Sequence, residues 1–414
     1  MSNLLYLVHR IPYPPDKGDK IRSFNLLRHL SKEYSIYLGG FVDQSKDWDY
    51  VDEVEEYCSE VYLRPIRNWR SILSAALSLV RRRSLSVSYY SDKALQQWVK
   101  DLLRTMQIDV VVAYSSTMSQ FLPNGNSGNT IILADFVDLD SDKWRQYASE
   151  AKWPLSAIYA YEAKALAKWE LEVAESVDAI TLVSTEERRL LLSRCSREVK
   201  KIGIVRNGVD AEFFDPELEL ANPYQDGIPV ACFTGAMDYF ANVQGVNWFS
   251  ECIWPLVKEK VPTAEFWIVG SNPTKEVLAL RSVQGVRVTG YVSDIRPYLK
   301  HASVAVVPLE LARGVQNKVL EALAMDLPII ATPQALQGLD GSLPDSITSV
   351  SDSSGFAERT SLALENEAST FNSQGRRYIQ KNYDWERNLA EIDRILASRL
   401  DARSEIDSCE TSHT

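Results

Sequence analysis

The stretch VAVVPLELARGVQNKVLEALA, Val304–Ala324, sets the reading of the chain. Val304–Val307 is an unbroken apolar, largely β-branched run, as expected of a strand buried on both faces of a parallel sheet. A helix opens after Arg313-Gly314. In it Val319, Leu320 and Leu323 can point to a core, while Lys318 and Glu321, three apart, share one face. Strand, loop and helix in this order place the loop beyond the C-terminal end of a strand. That is where open, doubly wound sheets bind their ligands.

The same rhythm extends in both directions. Leu4–Val8, Ile36–Phe41, Val110–Tyr114, Ile131–Ala134 and Ala179–Val183 read as strands in the first half. Val230–Thr234, Glu265–Val269, Val286–Thr289 and Ile329–Ala331 join Val304–Val307 in the second. Helix-length segments such as Ile21–Leu30, Leu95–Met106, Ile158–Ala174 and Val243–Lys258 lie between them. One sheet holding all these strands would be too wide, so the pattern predicts two Rossmann-like α/β domains. Arg206-Asn207-Gly208-Val209-Asp210, followed by Pro216, marks the break, because Asn-Gly is a turn signal. The expected organisation is residues 1–205, residues 206–382, a final helix within 383–400, and a polar, disordered tail over 401–414.

Composition narrows the function. The 414 residues are 45% apolar and 24% charged, values of an ordinary globular protein. The net charge of −11 disfavours nucleic acid, whose binding depends on phosphate neutralisation. Any anionic ligand must meet a local cluster of cations. Five scattered cysteines with no C-x-x-C pair argue against a disulfide framework or a structural zinc site and fit a reducing compartment. No apolar run approaches the roughly 18 residues of a membrane span, and the first residues lack a signal-peptide pattern. A cytoplasmic location is therefore expected. Between Arg64 and Arg83 there are six arginines and no acid, around the amphipathic run Ile72–Val80. That stretch reads as a core-facing helix with a solvated basic end, or as a surface for the anionic lipid of an inner leaflet.

Candidate site residues cluster after strands. Gly18 and Gly235 would let backbone approach a phosphate, although each could equally serve a tight turn. Arg313 and Lys318 at a helix N-terminus make a pre-formed diphosphate site, with Glu321 one turn deeper to accept two ribose hydroxyls. The bland alternative is a surface ion pair worth about 0.3 kcal/mol. After Ile131–Ala134, Asp135 and Asp138 lie nearest the strand end, whereas Ser141 and Asp142 read as a helix start. His9 ends the first strand and could reach a ligand, although most such histidines are structural. No metal-binding spacing, dinucleotide fingerprint, Walker loop or nucleophile elbow is present.

These motifs together resemble the group 1 (family 4) glycosyltransferases. Val205–Asp210 with Phe214 and Pro216 resembles the family hinge P-N-G-V-D-x-x-x-F-x-P. Glu265–Gly270, Gly290-Tyr291-Val292 and Ala302–Pro308 resemble the strands leading to the nucleotide, and Arg313–Ala324 the E-x7-E region. His9–Pro15 with Lys17–Arg22, Asp138–Trp144 and Arg313–Lys318 resemble a closer subset, the sugar transferases associated with exosortase and exopolysaccharide gene clusters.

The resemblance implies a GT-B fold, two domains facing a cleft with the last helix crossing back to the first. It implies transfer from a nucleotide-sugar to a glycan or polyprenyl-linked acceptor, with retention and without metal or other cofactor. It places Gly18, Asp19, Lys20, Gly235, Met237, Asp238, Val292, Gly314, Val315, Gln316, Asn317 and Glu321 around the donor. The Asp135–Asp138 run stands where the family often has a strand-end His. Two departures stand out. Arg313 replaces the first Glu of E-x7-E, and the family's diphosphate-clamping Arg and Lys after the Gly235 strand give way to Met237, Asp238 and Asn242. Lys318 and Arg313 are then expected to supply the catalytic charge. A nucleotide-sugar 2-epimerase of the same fold and a non-catalytic nucleotide-sugar-binding scaffold are the alternative readings.

Overall fold

The computed structural model describes residues 1–66, 83–123, 130–195, 199, 201–312, 314–339, 341–365 and 373–411. Arg313, the run Ile72–Val80, and Arg81 and Arg82 lie outside the described residues. The chain divides into two compact units, Met1–Arg206 with Leu389–Thr414, and Asn207–Asn388.

The first unit is built on a seven-stranded sheet. Its strands are β1 (Ser2–Val8), β2 (Tyr34–Val42), β3 (Glu60–Pro65), β4 (Val110–Tyr114), β5 (Ile131–Val137), β6 (Ala179–Leu182) and β7 (Ile202–Ile204), in the order β3-β2-β1-β4-β5-β6-β7. Every pairing is parallel, with Leu4 opposite both Ile36 and Val110. The central strands are sealed because helices cover both faces: Leu5, Leu7, Val111 and Ala113 pack against Leu95, Val99 and Leu102, while Ala134, Ile180 and Leu182 pack against Val173, Ala174 and Leu191. Those helices begin where caps are available. Asp92 accepts from the Ala94 and Leu95 amides, and Ser184 from that of Glu187, satisfying otherwise orphaned donors.

The second unit repeats the plan with β8 (Val230–Thr234), β9 (Glu265–Val269), β10 (Val286–Gly290), β11 (Val304–Val307), β12 (Ile329–Ala331) and β13 (Ile347–Ser349), ordered β10-β9-β8-β11-β12-β13 and parallel throughout. Phe249, Trp254, Phe266 and Phe356 anchor its core. In both sheets the connections reverse direction once, between β1 and β4 and between β8 and β11. The loops leaving those strands are the sites this topology reserves for ligands.

Three edge strands, β3, β7 and β13, escape the sequence reading. They are short or half-exposed, so they carry no long apolar run. The helix expected over Val243–Lys258 is divided into Phe240–Trp248, a π-turn at Phe249–Ile253, and Trp254–Lys260. Pro255 cannot donate to the ladder, which accounts for the wider turn before it. The last helix runs Trp385–Thr411, beyond Leu400 and across residues whose polarity suggested a tail. From Leu389 on, that helix packs within the first unit: Ile392, Ile395 and Leu396 are fully buried and His29 Nε2 meets Asp393 at 2.9 Å.

Candidate functional site

In the second unit, β8 and β11 bring their outgoing loops side by side. Thr234 ends β8, and Gly235 follows with φ +154°. A Cβ there would stand 2.8 Å from Asn242 Nδ2 and 3.1 Å from Lys318 Nζ, and one on Gly270 would fall 1.7 Å from the Gly235 carbonyl oxygen. Backbone excludes a side chain at Gly270, and one at Gly235, whose φ favours glycine, would have to displace the ends of Asn242 and Lys318. The Gly235 N–H donates to Val269 O at 3.0 Å and the Met237 N–H to Ser271 O at 2.7 Å, which ties the loop after β8 to that after β9.

Lys318, the second residue of helix Asn317–Ala324, lies against this loop. Its Nζ donates to Asn242 Oδ1 at 2.5 Å and lies 4.2 Å from the centre of the Phe233 ring. Asn242 in turn donates from Nδ2 to Ala236 O at 2.9 Å. One amide side chain thus holds both the cation and the glycine loop. Burial pushes the Lys318 ammonium down to about 7 although Glu321 favours its charged form; burial pushes the Glu321 carboxyl up to about 7 against the pull of Lys318. The Gln316 side chain makes no cap bond to this helix, and the Val319 and Leu320 amides donate to the Gln316 carbonyl at 2.9 and 3.3 Å. The result is a cation, a helix N-terminus and a bare backbone stretch at one switch point, with a carboxyl one turn deeper.

The other residues expected around the donor are placed unequally. Gly314 has φ +60°, and its carbonyl lies 2.4 Å from where a Cβ of Gly338 would stand. Val315 is a core residue, and Gln316 and Asn317 open the helix. Asp238 is exposed and accepts from Asn272 Nδ2 at 3.3 Å. Val292 is half-buried just after Gly290, whose φ is +80°. Met237 is fully buried in the core, which removes its side chain from any donor contact.

In the first unit the loop after β1 departs from expectation. Gly18 is exposed at the start of helix Gly18–Leu30. Lys20, expected to bind the donor, is 1% exposed and held by Asp47 Oδ2 at 2.7 Å, so it is an internal cation. Arg22 is equally buried. It makes two bonds of 2.9 Å to Asp135, and its Nη1 donates to Val205 O at 2.8 Å. Asp135 also accepts from Thr181 Oγ1 at 2.9 Å, so it braces the sheet instead of facing a ligand. Asp19 accepts from Arg10 Nη1 at 2.9 Å and lies 3.1 Å from His9 Nε2.

Asp138 is half-buried at the end of β5, immediately after Val137 with φ +69°. A β-branched residue in the left-handed region is strained, and the β5–β6 register shifts between Asp135 and Val137. The strain turns the chain out of the sheet at Asp138. Nearby, burial and the Asp138 charge push Glu187 up to about 7, and burial pushes Glu170, bonded to the Ser141 N–H and hydroxyl, up to about 8. Asn242, Asp47, Glu170 and Glu187 were not legible as partners in the sequence. Each meets its partner through the fold, between 27 and 76 positions away.

Residues 228–366 match the family model described as "Glycosyl transferases group 1". No curated protein is significantly similar in sequence. Among solved structures, sucrose-phosphate synthase from Thermosynechococcus elongatus superposes with a TM-score of 0.64 at 14% identity, over 97% of this chain and 100% of that one. HepE from Anabaena, solved with UDP and glucose, gives 0.63 at 11% identity over 96% and 100%. WaaG, a glycosyltransferase involved in lipopolysaccharide biosynthesis, gives 0.62 at 12% identity over 94% and 99%. The chain therefore has the GT-B fold, and the segment that matches the group 1 glycosyltransferase model lies within its second unit.

Proposed function

We propose that this protein transfers a sugar from a nucleotide-sugar, held by the second unit, to a glycan or polyprenyl-linked acceptor. The observation that carries the reading is Lys318 beside the Gly235 loop at the β8–β11 switch point, inside the segment that matches the family. Departure of the sugar puts charge on the diphosphate, and a fixed cation with helix amides stabilises that charge most in the transition state. Lys318 fills this role, joined by Arg313, whose guanidinium can grip phosphate in bidentate fashion. Glu321 accepts the ribose hydroxyls. Asp138 is the group presented by the first unit.

The resemblance to group 1 enzymes further implies retention, with the departing diphosphate helping to take the acceptor's proton, and a place in exopolysaccharide synthesis. On this reading side chains, not a metal, meet the diphosphate charge, so chelators leave turnover unchanged. No described helix is long and apolar enough to cross a membrane. Access to a lipid-linked acceptor would then come from peripheral contact with anionic lipid, at the inner face of the membrane of the cytoplasm. HepE bound to UDP-glucose supports a nucleotide-sugar of this kind by analogy of fold. The test is mass spectrometry of products from a nucleotide-sugar panel with a polyprenyl-diphosphate-linked acceptor. A glycosylated acceptor is expected. Rearranged donor without transfer would point to an epimerase, and donor binding without turnover to a scaffold.

A further inference from the structure

At the switch point of the first sheet, where β1 and β4 end, lies a polar cluster that the donor site does not use. His9 Nε2 is 3.1 Å from Asp19 Oδ2. Arg10 bridges two carboxylates, reaching Asp19 Oδ2 at 2.9 Å and Asp43 Oδ2 at 3.2 Å. The His9 ring stacks on Tyr114 at 5.6 Å and meets the edge of Tyr90 at 5.7 Å, and the Tyr114 hydroxyl donates to Asp19 O at 2.8 Å. Position and orientation of the imidazole are thus fixed on three sides. Three enclosed atoms of the cluster have no hydrogen-bond partner: His9 Nδ1, Asp43 Oδ1 and Arg10 Nε. Arg10 Nε still lies 3.2 Å from Asp43 Oδ2 in the ion pair, which leaves His9 Nδ1 and Asp43 Oδ1. Buried polar groups are almost always satisfied, so a pair of orphans at a ligand edge calls for an explanation.

Their chemistry specifies the missing partner. Burial would raise the Asp19 carboxyl, but the His9 bond and the Arg10 charge outweigh it and hold it well below the usual carboxylate range. Asp19 is therefore an acceptor only, and Nε2 must carry the proton in their shared bond. In the neutral ring Nδ1 is then a bare lone pair. Asp43 Oδ1 is likewise an acceptor. Asp19 and Asp43 balance the charges of Arg10 and of Lys17, which also acts on Asp19, so the cluster has no excess positive charge to attract phosphate. It requires a neutral molecule rich in hydrogen-bond donors, and hydroxyl groups match.

We infer that His9 and Asp43 form a hydroxyl-binding subsite for a sugar, with Asp19 as the positioning residue that sets the His9 tautomer. Within the proposed transfer reaction, on which this assignment rests, the subsite belongs to the acceptor, and Asp19 leaves the donor-binding set. His9→Gln keeps a donor toward Asp19 but has no group at Nδ1. Asp19→Asn can donate to Nε2, which moves the ring proton to Nδ1 and turns the acceptor into a donor.

The test uses nitrogen NMR of the imidazoles in the full chain, which has four histidines, with octyl glycosides of glucose, galactose and mannose as probes. The parent should show an unprotonated Nδ1 on His9 that shifts when one of the glycosides is added at millimolar concentration. In calorimetry with the same glycoside, His9→Gln and Asp19→Asn should each weaken binding about tenfold, the size of one lost hydrogen bond, and Asp19→Asn should reverse the tautomer seen by NMR. If no glycoside perturbs the ring, or if both variants bind like the parent, the orphans are satisfied by water alone and the subsite is refuted. Nucleoside diphosphate calorimetry on the same proteins separates the two readings. Loss of nucleotide binding in the parent would strike the donor site and leave this one standing.

Discussion

Replacing Lys318 with Ala removes the cation from the Gly235 loop but leaves the backbone of that loop tied to Val269 and Ser271. Turnover should fall about 10²–10³-fold, as for one lost oxyanion donor, with a smaller change in donor affinity. Steady-state kinetics on the single mutant checks this; weakened donor affinity with unchanged turnover would mean uniform binding only. Glu321→Gln should weaken nucleoside diphosphate binding by roughly 1.5–3 kcal/mol, the worth of a charge-assisted hydrogen bond. Unchanged affinity in calorimetry would remove Glu321 from the ribose. The Lys318 ammonium, pushed down to about 7 by burial, also makes a pH prediction. A bound diphosphate favours the charged form, so binding must take up protons at pH values between the free and bound pKa. At about pH 8, where Glu321 is already ionised, calorimetry in buffers of different ionisation enthalpy should show net uptake, and affinity should fall as pH rises further. Zero uptake would mean that Lys318 does not meet the phosphate. At this scale the sequence is informative where partners are local: Lys318 and Glu321 share a helix face at i, i+3. It misleads where partners are remote. Lys20 and Arg22 look like free cations until Asp47 and Asp135 are found beside them.

Among elements, the central strands were legible because burial on both faces leaves unbroken apolar runs, as in VVVAY of β4 and VAVV of β11. Edge strands carry no such mark: Ile202–Ile204 is three residues with a glycine at its centre, against which Ile395 packs. The outward turn at Val137 was equally invisible, since nothing in valine's chemistry suggests a positive φ. Val137→Gly should relieve strain of about 1–2 kcal/mol, partly offset by the 0.5–1 kcal/mol that glycine loses in chain entropy. Thermal unfolding should therefore change little. If Asp138 depends on that turn, transfer should drop sharply while nucleotide binding is kept; full activity would make the turn merely structural. Glu170 offers a second test. Its carboxyl is raised to about 8 in the folded chain by burial, so the protonated form is favoured by folding. That contribution is fully present below the unfolded value near 4.5 and is lost as pH rises toward about 8. Glu170→Gln should flatten this part of the pH–stability curve, as read by denaturant midpoints. An unaltered curve would show that Glu170 is not the group responsible.

For the whole molecule, the sequence showed two doubly wound sheets through their repeated rhythm, and the strand orders agree. What it could not show was an apolar tip. Trp153 is 82% exposed, with Leu155 and Ile158 also open to solvent beside Lys152. Helix Leu155–Ser176, which begins in this patch, binds the carbonyl of Arg83, the end of the arginine-rich stretch, through the Tyr161 hydroxyl at 3.1 Å. If that stretch meets lipid, each arginine near the surface contributes about 1 kcal/mol. Changing Arg81, Arg82 and Arg83 to Gln should release the protein from anionic vesicles, and equal sedimentation of both forms would end the membrane assignment. The central claim is sugar transfer from a donor held at the β8–β11 switch point. It is tested most directly by incubating parent, Lys318→Ala and Glu321→Gln proteins with a nucleotide-sugar panel and a polyprenyl-linked acceptor, and measuring product by mass spectrometry. The account expects one donor to give a glycosylated acceptor with the parent and little with either variant. Product formed equally by all three would contradict it.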